Sequence, residues 1–175
     1  MEIIIAGFGG QGIMLAAYIA GKAATLYENK EAVFQESYGP EARGSACKAS
    51  LIISEGKIDY PFVEDADALI VLSKEGYSLN SKRLKDGGMV IYDSSLVPEV
   101  SEKKRYGIKA TEMAEGLHNK IAANMVILGF FVAITDVLKK ESVERSIETT
   151  VSKSFVDINL KAFEVGYERG LGAKL

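Results

Sequence analysis

The sequence predicts an α/β protein, a Rossmann-like three-layer sandwich with a mixed, mostly parallel sheet and a helical C-terminal half. Three observations predict this fold class: a β-branched run that ends in a glycine-rich turn, two further apolar runs of strand length, and helical spacing of apolar residues in the last third of the chain. The 175 residues are enough to bury a core without disulfides or metal, and we expect a single domain over residues 1–175.

The first half of the chain alternates between strand and helix patterns. Ile3-Ile4-Ile5-Ala6 predicts the first strand, and the glycines after it lead into a helix over 14–27. The next two strands are predicted at 32–37 and 48–54. Because the connection between them is too short for a parallel crossover, this pair should be antiparallel.

Two apolar runs, 68–72 and 89–92, predict central parallel strands that are covered on both faces. A helix over 74–85 should connect them, and Asp86-Gly87-Gly88 is typical of a helix end. The middle of the chain therefore completes the predicted sheet core.

The last part of the chain is predicted to be helical after one weaker strand at 106–110. The helices are expected near 121–138, 142–152 and 155–169. In the last of them, helical spacing predicts a buried stripe made of Val151, Phe155, Ile158, Ala162 and Val165.

Composition excludes several classes of function. The chain has 21 basic and 24 acidic residues, a formal net charge of −3, and no basic block that would follow a nucleic-acid backbone. Cys47 is the single cysteine, too few thiolates for an iron–sulfur cluster. The longest apolar stretch, 121–138, contains Asn124 and Asp136 and is short for a membrane span. With no signal-peptide pattern, we expect a cytoplasmic protein without nucleic-acid or membrane partners.

Gly7-Phe8-Gly9-Gly10-Gln11-Gly12 has the spacing G-x-G-x-x-G between a predicted strand and a predicted helix. Glycine allows positive φ and close backbone approach, and free N–H groups at a helix start attract an anion. A dinucleotide site would also need an acidic residue after the second strand, where Glu36 is the candidate, but that strand turns straight back. A tight turn without a ligand is the other interpretation.

The second motif, residues 37–45, reads SYGPEARGS between two predicted strands. If the second strand neighbours the first in the sheet, this loop and the glycine loop emerge at the same edge. Arg43 could then offer a planar cationic fork to a phosphate or carboxylate. Alternatively, Arg43 forms an ion pair with Glu36 or Glu41 that orders a surface loop. The residues alone leave both interpretations open.

The remaining polar residues predict no catalytic and no metal-binding site. Asp93 is expected to cap the turn after its strand, and His118 has no partner for metal binding or nucleophilic catalysis. Asn124 and Asn159 are expected to be buried hydrogen-bonding ties within helices, and Cys47 a small core residue.

The motifs GFGGQGI, SYGPEARG, ADALIVLSKEGY, NMVILG and NLKAFEVG, in this order, resemble the gamma subunit of 2-oxoacid:ferredoxin oxidoreductases. The resemblance covers essentially the whole chain and is most similar to the 2-oxoglutarate type. Ser45 departs from the family pattern, which commonly has a second glycine after the arginine.

The resemblance implies an enzyme subunit that holds no cofactor alone. In such complexes thiamine diphosphate and Mg²⁺ lie between the alpha and beta subunits, and iron–sulfur clusters lie on beta and on a delta subunit. The complex oxidatively decarboxylates a 2-oxoacid with coenzyme A (CoA) to acyl-CoA, CO₂ and reduced ferredoxin. The implied partners are alpha, beta and delta, with ferredoxin bound through the complex; an isolated chain can also form a homodimer through surface that its partners would cover.

Loop chemistry and the resemblance together give the candidate CoA or interface residues: Gly7, Gly9, Gly10, Gln11, Gly12, Ser37, Tyr38, Arg43 and Gly44. Two alternatives remain open, a purely structural interface subunit and a free-standing dinucleotide-binding protein. The identity of the 2-oxoacid is not encoded here, because its pocket should lie on the other chains.

Overall fold

The computed structural model describes residues 1–38 and 46–174, and only the backbone at Tyr38. Within these ranges the strands are β1 (Glu2–Phe8), β2 (Glu31–Tyr38), β3 (Ala46–Ser54), β4 (Ala66–Val71), β5 (Leu84–Asp93) and β6 (Arg105–Ile108). The helices are α1 (Ile13–Tyr27), α2 (Lys74–Asn80), α3 (Ala110–Gly116), α4 (Ala123–Thr135), α5 (Lys140–Glu148) and α6 (Val156–Ala173).

The strands form one mixed sheet in the order β2-β3-β1-β4-β5-β6. β3 runs antiparallel to both of its neighbours, whereas β1, β4, β5 and β6 pair in parallel. The predicted α/β class, the mostly parallel sheet and the antiparallel pairing of β2 with β3 are confirmed. β3 is inserted between β1 and β2, so the second strand in the chain lies at the edge of the sheet.

The isoleucine run of β1 serves both faces of the sheet, because successive side chains of a strand point to opposite sides. Ile3 and Ile5 join the larger core beneath α1 and the C-terminal helices. Ile4 and Ala6 join a smaller core that includes Tyr77 of α2. The sheet therefore has helices on both faces, with the thicker layer on the side of α1.

Helices α4 and α6 pack with their backbones in direct contact. A β-carbon at Gly129 of α4 would collide with the carbonyl oxygen of Phe163, and one at Gly166 of α6 with the carbonyl oxygen of Val126. α4 is buried along nearly its whole length, which matches its predicted apolar character. Among the described residues, no helix is both long enough and apolar enough to cross a bilayer.

The predicted helix end at Asp86-Gly87-Gly88 is wrong. α2 ends at Asn80, a 3₁₀ turn covers Ser81–Arg83, and the two glycines lie inside β5. The pairing of β4 with β5 shifts register between Ala66 and Ala68, and Gly87 has a φ of 78°. The glycines therefore accommodate a strand irregularity, which a sequence cannot distinguish from a helix stop.

The predicted buried stripe of α6 is also largely wrong, since only Ala162 of that set is buried and Phe155 is 54 % exposed. The buried residues of this helix are Asn159, Ala162, Phe163, Gly166 and Gly170. The close contact with α4 requires small residues on this face of α6. Because glycine is not counted as apolar, a search for helical spacing of apolar residues does not find this face.

Candidate functional site

The carboxyl end of the parallel strands forms one edge of the sheet, and both sequence motifs meet it. The glycine loop follows β1 at this edge. Because β3 is antiparallel, the 39–45 connection starts and ends here as well: Phe8 pairs with Ala46, and Tyr38 pairs with Cys47. Arg43 and Gly44 lie outside the described residues, so the structure positions only the strand ends that carry them.

The glycine loop has the backbone geometry that its sequence predicts at two positions. Gly10 has a φ of 95°, and Gly12 has a φ of 71° and caps the N-terminus of α1. Gly9 and Gly10 are exposed, and a β-carbon at Gly10 would meet no described heavy atom within 4 Å. The tip of the loop therefore presents bare backbone to the outside.

The side chain of Gln11 fixes the loop from within. Its Oε1 accepts the N–H of Phe8 at 2.6 Å, and its Nε2 donates to the carbonyl oxygen of Leu72 at 2.8 Å. The loop is thus joined to the end of β4. Both the oxygen and the nitrogen of this amide form hydrogen bonds with the backbone of the chain. Gln11 therefore holds the loop in place, a role that the motif spacing did not reveal.

Asn124 ties the start of α4 to the same loop. Its Nδ2 donates to the carbonyl oxygen of Gly12 at 3.1 Å, and the residue is 2 % exposed. The expectation of a buried hydrogen-bonding tie is confirmed for Asn124. Asn159 is buried too, and its Nδ2 donates to the carbonyl oxygen of Phe155 one turn earlier.

The polar groups that end the neighbouring strands are engaged in structural hydrogen bonds. Asp93 is fully buried; its Oδ1 accepts the N–H of Ser95 at 3.0 Å, and its Oδ2 accepts the N–H and hydroxyl of Thr111 at 3.0 and 2.5 Å. Ser73 caps α2, because its Oγ accepts the N–H of Gly76 at 2.9 Å. The predicted capping role of Asp93 is confirmed and extends to the start of α3.

One hollow lies beside the glycine loop and a second lies beside the first turn of α1, and both have mainly apolar walls. The smaller one, about 220 Å³, lies between Gly10, Leu72 and Leu96. The larger one, about 450 Å³, lies between Leu15 and Phe155 beside Asn124. The two hollows share Ile121, which is 72 % exposed on the ridge between them. Such walls suit an apolar arm of a ligand or the side chains of a partner protein.

Electrostatically, the edge favours an anion and offers no metal site among the described residues. The first turn of α1 has no acidic residue, so no side chain of that turn offsets the partial positive charge of the helix start. Within the described ranges, no group of three His, Cys, Asp or Glu residues could hold a metal ion. Cys47 is buried, and burial raises the pKa of its thiol, which keeps it protonated and unreactive.

A similar fold and a related sequence occur in known oxidoreductase subunits. The family model of pyruvate ferredoxin/flavodoxin oxidoreductase matches residues 2–169. The 2-oxoglutarate synthase subunit KorC of Methanocaldococcus jannaschii is 46 % identical over 173 residues, which cover 95 % of this chain and 92 % of the relative. The gamma subunit of a keto/oxoacid ferredoxin oxidoreductase from Geobacter sulfurreducens PCA has a TM-score of 0.87 at 39 % identity, over 98 % of both chains.

A third comparison extends the fold to a larger chain. The 2-oxoglutarate:ferredoxin oxidoreductase from Magnetococcus marinus, solved with 2-oxoglutarate, coenzyme A and succinyl-CoA, has a TM-score of 0.86 over 98 % of this chain and 31 % of that chain. At 20 % identity this similarity concerns the fold alone. The resemblance to gamma subunits is confirmed, and the chain belongs to the pyruvate ferredoxin/flavodoxin oxidoreductase family.

Proposed function

We propose that this chain is the gamma subunit of a 2-oxoglutarate:ferredoxin oxidoreductase, and that its glycine-loop edge helps to bind CoA. The complex would decarboxylate 2-oxoglutarate oxidatively with CoA, giving an acyl-CoA, CO₂ and reduced ferredoxin. The similarity to a 2-oxoglutarate synthase subunit over nearly the whole chain supports the subunit assignment. The isolated chain is expected to be inactive.

The observation that carries the CoA assignment is the open glycine loop at the start of α1. CoA has phosphate groups and a pantetheine arm that combines amides with apolar carbons. Exposed backbone at Gly9 and Gly10, next to a helix start without acidic residues, suits a phosphate. The larger hollow, whose apolar walls include Leu15 and Phe155, suits the carbons of the arm.

The candidate residues divide into three roles. Gly7, Gly9, Gly10 and Gly12 allow the backbone to approach the ligand, and Gln11 holds the loop against β4. Ser37, Tyr38, Arg43 and Gly44 belong to the strand ends and connection that border the same edge, where the Arg43 guanidinium would contact a phosphate. In this proposal the chain orients CoA and contributes no acid, base or nucleophile.

The cofactors of the complex would lie with the alpha, beta and delta partners. The donor set of this chain does not fit an iron–sulfur cluster, because it includes one cysteine, and that cysteine is buried. Within the described residues, no cluster of three His, Cys, Asp or Glu side chains could hold a metal ion. Bond cleavage belongs to the cofactor, and positioning of CoA belongs to this chain.

A specific observation also favours a second candidate, a purely structural interface subunit. Leu96, Ile121 and Phe155 are exposed apolar residues around the loop, and such a surface is typical of a protein contact. In that case, changes in the loop would impair assembly and not the use of CoA. The free-standing dinucleotide-binding alternative is disfavoured, since β3 separates β1 from β2 and from Glu36.

A pair of glycine variants tests the proposal in the assembled enzyme. Gly10 and Gly87 both have positive φ and open space where a β-carbon would lie, but Gly87 lies at the opposite end of the sheet. Gly10→Leu should therefore raise the KM for CoA, whereas Gly87→Leu should carry the same backbone strain and leave that KM unchanged.

The Arg43→Ala variant provides a second test, read with size-exclusion chromatography as a check of assembly. We expect a raised KM for CoA with the subunit composition intact. If both Gly10→Leu and Arg43→Ala leave the KM for CoA unchanged in intact complexes, the CoA assignment is abandoned. Loss of assembly in both variants would support the structural subunit.

A further inference from the structure

A groove lies on the face of the sheet opposite α1, on the side of the sheet formed by β2 and β3. Two adjoining hollows of about 220 and 320 Å³ share three lining residues, which are Ser37, Lys48 and Arg83. Lys48 lies four residues before Ile52 of the smaller core, so both side chains project from the same face of β3. We call this feature the Lys48 groove.

The two cations of the Lys48 groove differ in how they are held. Arg83 is fixed, because its Nη2 and Nε donate to the carbonyl oxygens of Val63 and Glu64 at 2.6 and 3.0 Å. Within the described ranges the ammonium of Lys48 has no ion pair or hydrogen bond. Burial and the nearby positive charge of Arg83 lower the pKa of Lys48. A half-buried lysine beside a fixed arginine is a site that an anion would stabilise.

Two acidic residues also line the groove. Glu36 and Glu64 both line the 320 Å³ hollow of the Lys48 groove. Glu64 accepts a hydrogen bond from the hydroxyl of Tyr60 at 3.0 Å and gives Arg83 only its main-chain carbonyl. Neither carboxylate is among the causes that shift the pKa of Lys48. Within the described ranges, the ammonium of Lys48 therefore has no carboxylate partner.

The Lys48 groove adjoins the edge proposed to bind CoA. Ala46 pairs with Phe8 at the start of the glycine loop, and Lys48 pairs with Ala6. Two residues of a strand span about 7 Å, so the backbone of Lys48 lies about that distance from the edge.

We propose that Lys48 and Arg83 form a subsite for a phosphomonoester, and that its occupant is the 3′-phosphate of CoA. The inference rests on the proposed function, because CoA must lie along this edge to reach the groove. Apart from its pyrophosphate, CoA carries a separate phosphomonoester that is close to doubly charged at neutral pH. A fixed arginine and a lysine without a partner among the described residues match that charge better than the neutral backbone of the glycine loop does.

The test compares CoA with 3′-dephospho-CoA, which lacks only this phosphate, in the assembled oxidoreductase. The unaltered enzyme should have a KM for dephospho-CoA that is about tenfold higher, the effect of one lost charge-assisted contact. Lys48→Gln should raise the KM for CoA by a similar factor of about ten and leave the KM for dephospho-CoA unchanged. Lys48→Arg, which keeps the charge, should restore the preference for CoA.

Lys74→Gln is the matched control. Lys74 on α2 also lacks an ion pair within the described ranges but lies outside the groove, so its variant should leave both constants unchanged. The inference is overturned if the unaltered enzyme uses both compounds equally well, or if Lys48→Gln changes both constants alike or neither. The glycine-loop proposal fails separately if Gly10→Leu leaves both constants unchanged.

Discussion

The side-chain amide of Asn124 occupies the space that a β-carbon on Gly12 would need, and it donates a hydrogen bond of 3.1 Å to the carbonyl oxygen of the same glycine. This contact joins residues that are 112 positions apart and sets the first turn of α4 against the first turn of α1. The geometry of the glycine loop therefore depends on the helical half of the chain.

Gly12→Ala is expected to lower the free energy of unfolding by about 3 kcal/mol, because it combines backbone strain at positive φ with overlap on Asn124. Gly10→Ala is the control: it has the same kind of backbone strain without the overlap, and should cost about 1 to 2 kcal/mol. Urea denaturation of the full chain measures both. Equal losses would contradict the role assigned to Asn124.

Two substitutions at Gln11 separate its hydrogen bonds. Gln11→Glu keeps an acceptor for the N–H of Phe8 but loses the donor to Leu72, whereas Gln11→Leu loses both. We expect each lost partner to cost about 1 to 2 kcal/mol in urea denaturation, with the leucine variant the less stable. If neither variant differs from the unaltered chain, Gln11 does not hold the loop.

The contact between α4 and α6 predicts opposite effects for two glycines of one helix. Gly166→Ala should lower the free energy of unfolding by about 3 kcal/mol, since its β-carbon meets the backbone of Val126, which cannot move aside. Gly172→Ala has open space and should raise stability by about 0.5 to 1 kcal/mol through helix propensity. Thermal melting checks both; a tolerated alanine at 166 would refute the close packing.

Glu28 should make stability depend on pH. Desolvation raises the pKa of its carboxyl, but the N–H of Lys139 and the ammonium of Lys30, at 2.6 and 3.0 Å, together lower it below the ordinary value of 4.5. A lowered pKa in the folded state gives stability that is present above pH 4.5 and is lost as the pH falls through the folded-state value.

Glu28→Gln should therefore destabilise the chain at neutral pH, with the difference shrinking as the pH falls below 4.5. Glu168 is exposed on α6, and its carboxylate has no partner within the described ranges, so Glu168→Gln should show no such trend. Urea denaturation at a series of pH values measures the difference. A constant difference across the series would show that the carboxylate charge of Glu28 does not contribute.

Much of the fold could be predicted because its strands carry strong local signals. The isoleucines of β1 alternate between two apolar cores, and the short 39–45 connection fixed the direction of β3 relative to β2. The insertion of β3 between β1 and β2 could not be predicted, since it depends on which long-range pairing is more stable. The last helix shows the same limit, because Gly166 and Gly170 pack by shape and not by hydrophobicity.

The candidate site was predictable in its location and less so in the roles of its side chains. Positive φ at Gly10 and Gly12 follows from residue type. The hydrogen bonds from Gln11 to Leu72 and from Asn124 to Gly12 span 61 and 112 positions, and motif spacing contains no information about such contacts. Lys48 belongs to none of the sequence motifs. Its proposed role depends on Arg83, which lies in a different element.

The most direct test of the central claim is an anaerobic pull-down of the tagged chain from its native host, with crosslinking, followed by assay of viologen reduction. We predict co-purified chains that carry thiamine diphosphate and iron–sulfur clusters, and activity that requires both 2-oxoglutarate and CoA. Recovery of the chain alone, or of a complex that oxidises pyruvate but not 2-oxoglutarate, would contradict it.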